Sequence, residues 1–396
     1  MLQGYVHPDF WAVAKALGRQ IPRSRPGGAA VSVYHRGELV VDLWGGTRDE
    51  SGRPWESDTL ALSYSTTKGV VSTLLHMMVD RGLLDYDEPV ARYWPEFAQC
   101  GKEQITVRHI LCHEAGLYGI RSLVDHGRRI LDWDYMVEAL ADSIPAHPPG
   151  EAHGYHALTY GWLVGELIQR VSKRSFRELV QTEIAEPLEL DGLHIGLPAN
   201  EMHRRARSII PAFPSWAPSE RRMASLGQPL HRALRFTRLP IDLAEMASAM
   251  IPRGMEEVDF NAESFASVPI PSANGTFTAR SLAKLYATLA NGGEWEGKRL
   301  ISRATLRRAA EVQNRGIGRV IPFPMHWRLG YHRVPTLRVK VPRGFGHFGF
   351  GGSGAWADPD RNLSVAMVLN SGTGTPFGDV RMVKIGSIAA RCAERR

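Results

Sequence analysis

Cysteine is scarce in this 396-residue chain: Cys100, Cys112 and Cys392 are three thiols at wide spacing. An odd number so placed gives no disulfide framework and points to reduced thiols. No apolar run is long enough to span a bilayer. The first eight residues, Met1 to Pro8, offer neither the basic nor the apolar segment of a secretory leader. A soluble cytoplasmic protein without a membrane span is therefore expected. Basic runs with interleaved aromatics are also missing. Lys and Arg outnumber Asp and Glu by 48 to 41 for a net charge of +7, but the Arg residues are scattered, and a nucleic-acid partner is disfavoured. The nucleophile elbow G-x-S-x-G is absent, because Gly351-Gly352-Ser353-Gly354 runs into Ala355. There is no internal repeat and no low-complexity tract.

With 43% hydrophobic and 22% charged residues, the chain can bury a large core, and its length suggests two closely packed subdomains. Residues 29–34 and 39–44 read as a hairpin after a short helix over 9–19, so a sheet begins early. A helix is predicted from Ser65 to Arg81, with Gly82 just past its end. From 105 to about 248 helical periodicity dominates, as in 158–171 and 176–184, which suggests a helical insertion. Proline-rich stretches at 211–218 and 269–271 lead back to a helix over 278–289 and the turn Asn291-Gly292-Gly293. Strands are expected at 332–339, 354–357 and 364–369, with a last helix over 378–392. Strands from both chain ends must then pair across the insertion.

Ser65-Thr66-Thr67-Lys68 stands at the junction of the apolar run 59–64 and the predicted helix. A Ser hydroxyl is a weak nucleophile until a base reaches it, and a Lys kept dry can be neutral enough to be that base. Positions i and i+3 put both groups on one helical face. The same four-residue spacing recurs at Ser281-Leu282-Ala283-Lys284, within an amphipathic helix whose polar face is expected to carry it to solvent. That copy is read as structural. Tyr155 sits in a loop entering a helix. Beside a Lys ammonium its phenolate is favoured, so a Ser/Lys/Tyr cluster could share a proton and act in turn as base and acid. A packing role is the alternative for Tyr155 alone.

The glycine-rich stretch 346–354 contains a formal G-x-G-x-x-G, but strand, turn and strand follow it, so the dinucleotide reading fails. Either its backbone lies close to a ligand and offers N–H groups to an oxyanion, or the glycines meet a steric demand of the strand. His109 and His113, four apart, could suggest a metal site. With no His-Glu-x-x-His and no third ligand motif, they are read as structural. No cofactor and no metal is expected.

In order, Ser65-Thr66-Thr67-Lys68, Tyr155-His156-Ala157 and His347-Phe348-Gly349 resemble the three active-site motifs of the serine β-lactamase and penicillin-binding superfamily. The stretch from Ile105 to Leu117 resembles its class C-like members. Gly154 to Gly161, Asn274-Gly275 and Gly352 to Pro359 look most like family VIII carboxylesterases. The resemblance covers nearly the whole chain. It implies an α+β fold, an antiparallel sheet flanked by helices with a mainly helical second subdomain. Residues 1–97 with 265–396 would form the first part, 98–264 the second, and the active site would lie between them. It further implies Ser65 as acylated nucleophile, Lys68 as its base partner and Tyr155 as proton relay. The oxyanion hole would be the backbone N–H groups of Ser65 and Phe350, and His347, Phe348 and Gly349 would form the substrate-binding third motif.

Two departures bear on specificity. Tyr-x-Asn is here Tyr155-His156-Ala157, and Lys-Thr-Gly is His347-Phe348-Gly349, so an amide, a fixed cation and a hydroxyl are lost. Both losses point toward neutral short-chain esters held by apolar walls. The expected activity is that of a serine carboxylesterase working through an acyl-enzyme. A weak β-lactamase, a D-amino-acid peptidase or an acyltransferase on the same site is the alternative. A catalytically silent binding module is the reading outside enzymes. The sequence leaves the oligomeric state open.

Overall fold

Strands from the two ends of the chain pair in one antiparallel sheet, as the pattern at either end requires. The computed structural model describes residues 2–22, 24–209, 243–372 and 379–396, so the proline-rich stretch expected at 211–218 lies outside the described residues. In chain order the strands are β1 (Leu2–Val6), β2 (Gly28–His35), β3 (Glu38–Gly46), β4 (Ala61–Leu62), β5 (Leu193–Ile195), β6 (Gly275–Phe277), β7 (Glu294–Trp295), β8 (Lys298–Arg299), β9 (His332–Arg333), β10 (Phe345–Phe348), β11 (Gly354–Asp358) and β12 (Leu363–Leu369). Seven of them form the main sheet, ordered β1-β3-β2-β12-β11-β10-β9. Its seam between the chain ends is β2 against β12, with Ser32 opposite Ala366 and Ala29 opposite Leu369.

Every residue of β2 and β12 is buried, because helices cover both faces of the sheet. The period of two survives in which core each side chain enters. Val365, Met367 and Leu369 pack with Val13, Leu17, Ile385 and Ala389 of the helices Trp11–Gln20 and Val380–Arg395. Ala366 and Val368 face the opposite core with Leu282 and Leu285 of the helix Ala279–Ala290.

The helix predicted from Ser65 begins at Thr67 and ends at Asp80. Tyr64–Thr66 form a separate 3₁₀ turn before it, and Gly82 follows in the left-handed region at φ 71°. From Thr67 to Met78 every residue of this helix is buried, so its polar side chains must be satisfied internally. Ser72 meets Tyr160 OH at 2.7 Å, Thr73 meets Tyr331 OH at 2.8 Å, and His76 meets Tyr86 OH at 2.8 Å.

Two expectations are corrected, and one strand is additional. The N-terminal residues, unassigned from sequence, form the edge strand β1, paired with β3 from Leu2 opposite Gly45 to Val6 opposite Val41. The strand expected over 332–339 stops at Arg333, two residues before Pro335, which has no N–H for a ladder. The helical stretch from 105 to 248 also contains a strand: β5 pairs with β6, which pairs with β4, in a small second sheet. No helix among the described residues is long and apolar enough to cross a membrane.

Candidate active site

Ser65 occupies the middle of the 3₁₀ turn Tyr64–Thr66, and Tyr64 before it holds φ at +45°. A non-glycine residue rarely adopts this conformation, so the turn must be held from outside. Ser63 N donates to Gly275 O at 2.8 Å, and Gly275 N donates to Thr67 Oγ1 at 2.9 Å, closing residues 63–67 onto β6. A Cβ on Gly275 would stand 2.2 Å from Phe277 Cζ and 2.5 Å from Thr67 Oγ1, which is why glycine occupies the position. On the other side, a Cβ on Gly349 would come within 2.2 Å of Ser63 O. The end of β10 therefore runs directly against the Ser65 turn, and the steric reading of the glycine-rich stretch holds at this position.

Lys68 is fully buried and its amine has three neighbours. Nζ is 3.2 Å from Ser65 Oγ, 2.6 Å from Ala157 O and 2.9 Å from Ser272 O. The carbonyls only accept, so two N–H bonds are committed to them. In the neutral amine these are both of its hydrogens, and the remaining lone pair faces the Ser65 hydroxyl. Burial is what favours that form, lowering the Lys68 pKa well below its ordinary value.

Each carbonyl is held in place. Ser272 Oγ donates to Leu158 O at 2.7 Å, and the Asn274 side chain accepts from Ile270 N at 2.8 Å while donating to Phe265 O at 2.8 Å and Val268 O at 2.6 Å. His156 fixes the loop of Ala157. Its Nε2 accepts from Leu117 N at 3.1 Å, which leaves Nδ1–H to donate to Gly154 O at 2.8 Å.

Tyr155 reaches the same point, with Lys68 Nζ 5.0 Å from its ring centre. Burial pushes its phenol pKa up, and a hydrogen bond with Ser65 opposes the shift. The expected phenolate beside an ammonium is thus replaced by phenol beside amine. Both pairs hold the same number of protons, but only the neutral one avoids two charges in a dry pocket. The phenol is gripped by rings. Trp327 stacks on Tyr155 at 5.3 Å and 7°, His113 stands edge-on at 5.0 Å, and His347 lies 6.3 Å away.

His113 and His109 do not converge: His109 Nδ1 accepts from Thr106 N at 3.1 Å in a capping box, whereas His113 Nδ1 accepts from His156 N at 3.2 Å. Trp327, His113 and His332 were not read as site residues. Trp327 lies in a segment without periodicity, and nothing in sequence distance links it to Tyr155.

In the third motif, His347 Nδ1 is 3.0 Å from Phe348 O, and the backbone N–H of Phe348 donates to His332 Nε2 at 2.9 Å. Burial holds His347 well below the usual imidazole range and His332 down to about 4, so neither supplies the lost cation. Phe350 begins the turn Phe350–Gly352, its ring 5.3 Å from that of Tyr64. Ser65, Tyr155, Ala157, His347, Phe348 and Phe350 all line one cavity of about 260 Å³, whose other walls are mostly apolar. The second Ser-x-x-Lys is not at this site. Ser281 is buried, contrary to the expected solvent exposure, and its Oγ accepts from Oγ1 of Thr278, the residue that caps the helix, at 2.9 Å. Lys284 Nζ lies instead over the Trp295 ring at 5.8 Å.

Residues 15–390 match the family described as Beta-lactamase. The chain is 38% identical over 369 residues to Esterase/beta-lactamase LipL of Mycobacterium tuberculosis, across 93% of this chain and 82% of that protein. A crystal structure of a family VIII carboxylesterase is similar over 99% of this chain and 100% of its own, with 33% identity and a TM-score of 0.85. A penicillin-binding protein homologue from Caulobacter crescentus has 34% identity and a TM-score of 0.86 over 99% of this chain and all of its own.

Proposed function

As this chain belongs to the beta-lactamase family and is a serine ester hydrolase, we propose that Ser65 is its acylated nucleophile, Lys68 the base and Tyr155 the proton relay. The observation that carries this reading is the Lys68 amine, with two carbonyls taking its hydrogens and its third direction toward Ser65 Oγ. Ser65 Oγ attacks the ester carbon as its proton passes to Lys68 Nζ. The oxyanion is held by the backbone N–H groups of Ser65 and Phe350. When the carbon–oxygen bond breaks, the leaving alkoxide takes a proton delivered through Tyr155. Water then adds to the acyl-enzyme by the reverse relay, releasing the acid and restoring Ser65. In this reading residues 1–97 with 265–396 form one subdomain and 98–264 the other, with the site between them. A cytoplasmic location belongs to the same reading, supported by three free cysteines.

The substrates are short-chain carboxylic esters. Ala157 and Phe348 place no hydrogen-bonding side chain beside Ser65, and the imidazole of His347 is neutral, so a β-lactam ring carboxylate and side-chain amide lose water without compensation. A panel of p-nitrophenyl esters assayed beside nitrocefin tests this, which is pertinent because the name of the Mycobacterium tuberculosis relative joins esterase to beta-lactamase. The expected kcat/KM for a short-chain ester exceeds that for nitrocefin by at least about 10²-fold. Comparable values would reverse the assignment in favour of a β-lactamase.

Tyr155→Phe keeps the ring in its stack with Trp327 and removes only the hydroxyl, so folding should be preserved. Its kcat should fall by about 10²-fold or more. Wild-type kcat with a native circular dichroism spectrum would exclude Tyr155 from proton transfer.

A further inference from the structure

We propose that the cavity takes esters bearing a negative charge on the end that projects from its mouth, where Arg333 binds it. The proposal rests on the esterase reading and specifies its substrate class. The cavity wall is apolar along Leu158, Met255, Phe265, Ile270 and Trp327, which suits the uncharged part of an ester. Arg333 lines the same cavity, is exposed, and has no ion pair or side-chain hydrogen bond among the described residues. Near it, Arg328 is buried and donates only to carbonyls, those of Ala310 at 2.9 Å, His326 at 3.2 Å and Pro342 at 3.4 Å. Burial first, then repulsion from Arg315 and Arg333, brings Arg328 down to about 10.

The carboxylate found on the described wall does not offset this. Asp379 is already committed to Arg381, accepting from its backbone N at 2.8 Å and pairing with its guanidinium at 2.7 Å. His332 and His347 are neutral. The surrounding chain repeats the bias, since residues 312–357 hold seven Arg or Lys and no Asp or Glu, and of these Arg319 and Arg343 are paired from outside the stretch, with Glu245 and Asp360. An anion at Arg333 would gain a forked guanidinium contact and offset its repulsion of Arg328, and the unpaired cations of the stretch would draw it to the mouth. Deep in the cavity the same anion would find no partner. The charge must therefore lie away from the scissile bond.

Two matched pairs of esters test this. p-Nitrophenyl hydrogen adipate against p-nitrophenyl hexanoate puts the charge on the acyl side, and 4-carboxyphenyl butyrate against phenyl butyrate puts it on the alcohol side. Intrinsic reactivities cancel when the anionic-to-neutral ratio of kcat/KM is compared between variants. Arg333→Glu should lower that ratio by about 10-fold or more in at least one pair, and added salt should lower it in the wild type. Arg333→Lys should keep most of it. Activity on the neutral esters with the ratio unchanged in both pairs for a folded Arg333→Glu protein overturns this proposal alone. A wild-type protein inactive on all four esters overturns the esterase reading, and this proposal with it.

Discussion

Ser65→Ala should reduce ester hydrolysis by about 10⁴-fold or more, the scale on which loss of a covalent nucleophile registers, and should abolish labelling by a phosphonate. The effect is this large because, among the described serines, only Ser65 combines a base 3.2 Å from its Oγ with a place on the cavity wall. The competing serines provide internal controls. Ser281 is held by Thr278 in a helix cap, and the amine of Lys284 lies over the Trp295 ring. Ser353 Oγ accepts from Leu369 N at 3.3 Å, between strands of the sheet. Ser281→Ala and Ser353→Ala should both remain labelled, although removing the second acceptor leaves a buried N–H unpaired and costs about 1–3 kcal/mol of stability. Label retained on Ser65→Ala would place the nucleophile elsewhere in the chain.

Ser65 and Lys68 were legible because both groups lie within one turn of chain, where sequence spacing is spatial spacing. Tyr155 was legible through the order of the three motifs. The partners that set the state of Lys68 were not, since Ala157 and Ser272 act through backbone carbonyls that every residue type possesses. Trp327 was missed for a related reason: its stack on Tyr155 is a contact of tertiary structure with no local pattern. The same contrast runs through the fold. The hairpin β2–β3 announced itself by apolar residues around a turn. β1 did not, because its three middle residues are exposed and only Leu2 and Val6 at its ends pack against the core. β5 and β6, at three residues each, are too short to display a period.

Lys68→Gln should lower kcat by about 10²-fold or more, because an amide can still donate to the carbonyls of Ala157 and Ser272 but has no basic lone pair for Ser65. Lys68→Ala should lose at least as much activity and also leave both carbonyls unpaired, so its melting temperature should be the lower of the two. Stability of the wild type relative to Lys68→Gln carries the second signature. Burial depresses the folded pKa of Lys68 while the unfolded value stays near 10.5. Between those values the unfolded chain binds a proton that the native state does not. The wild-type stability, taken relative to the variant, therefore rises with pH, by up to about 1.4 kcal/mol per pH unit, and levels off only above the unfolded pKa. Below the folded pKa the proton is bound in both states and the slope vanishes. Denaturant titrations of both proteins at pH 7, 8 and 9, on the order of one Lys titration range, would measure it. In the same window, kcat/KM of the wild type should gain nothing further once the pH exceeds the depressed pKa, since the amine is already neutral. A stability difference independent of pH across that range would mean that native Lys68 is an ammonium, and the resting enzyme would then have no base beside Ser65.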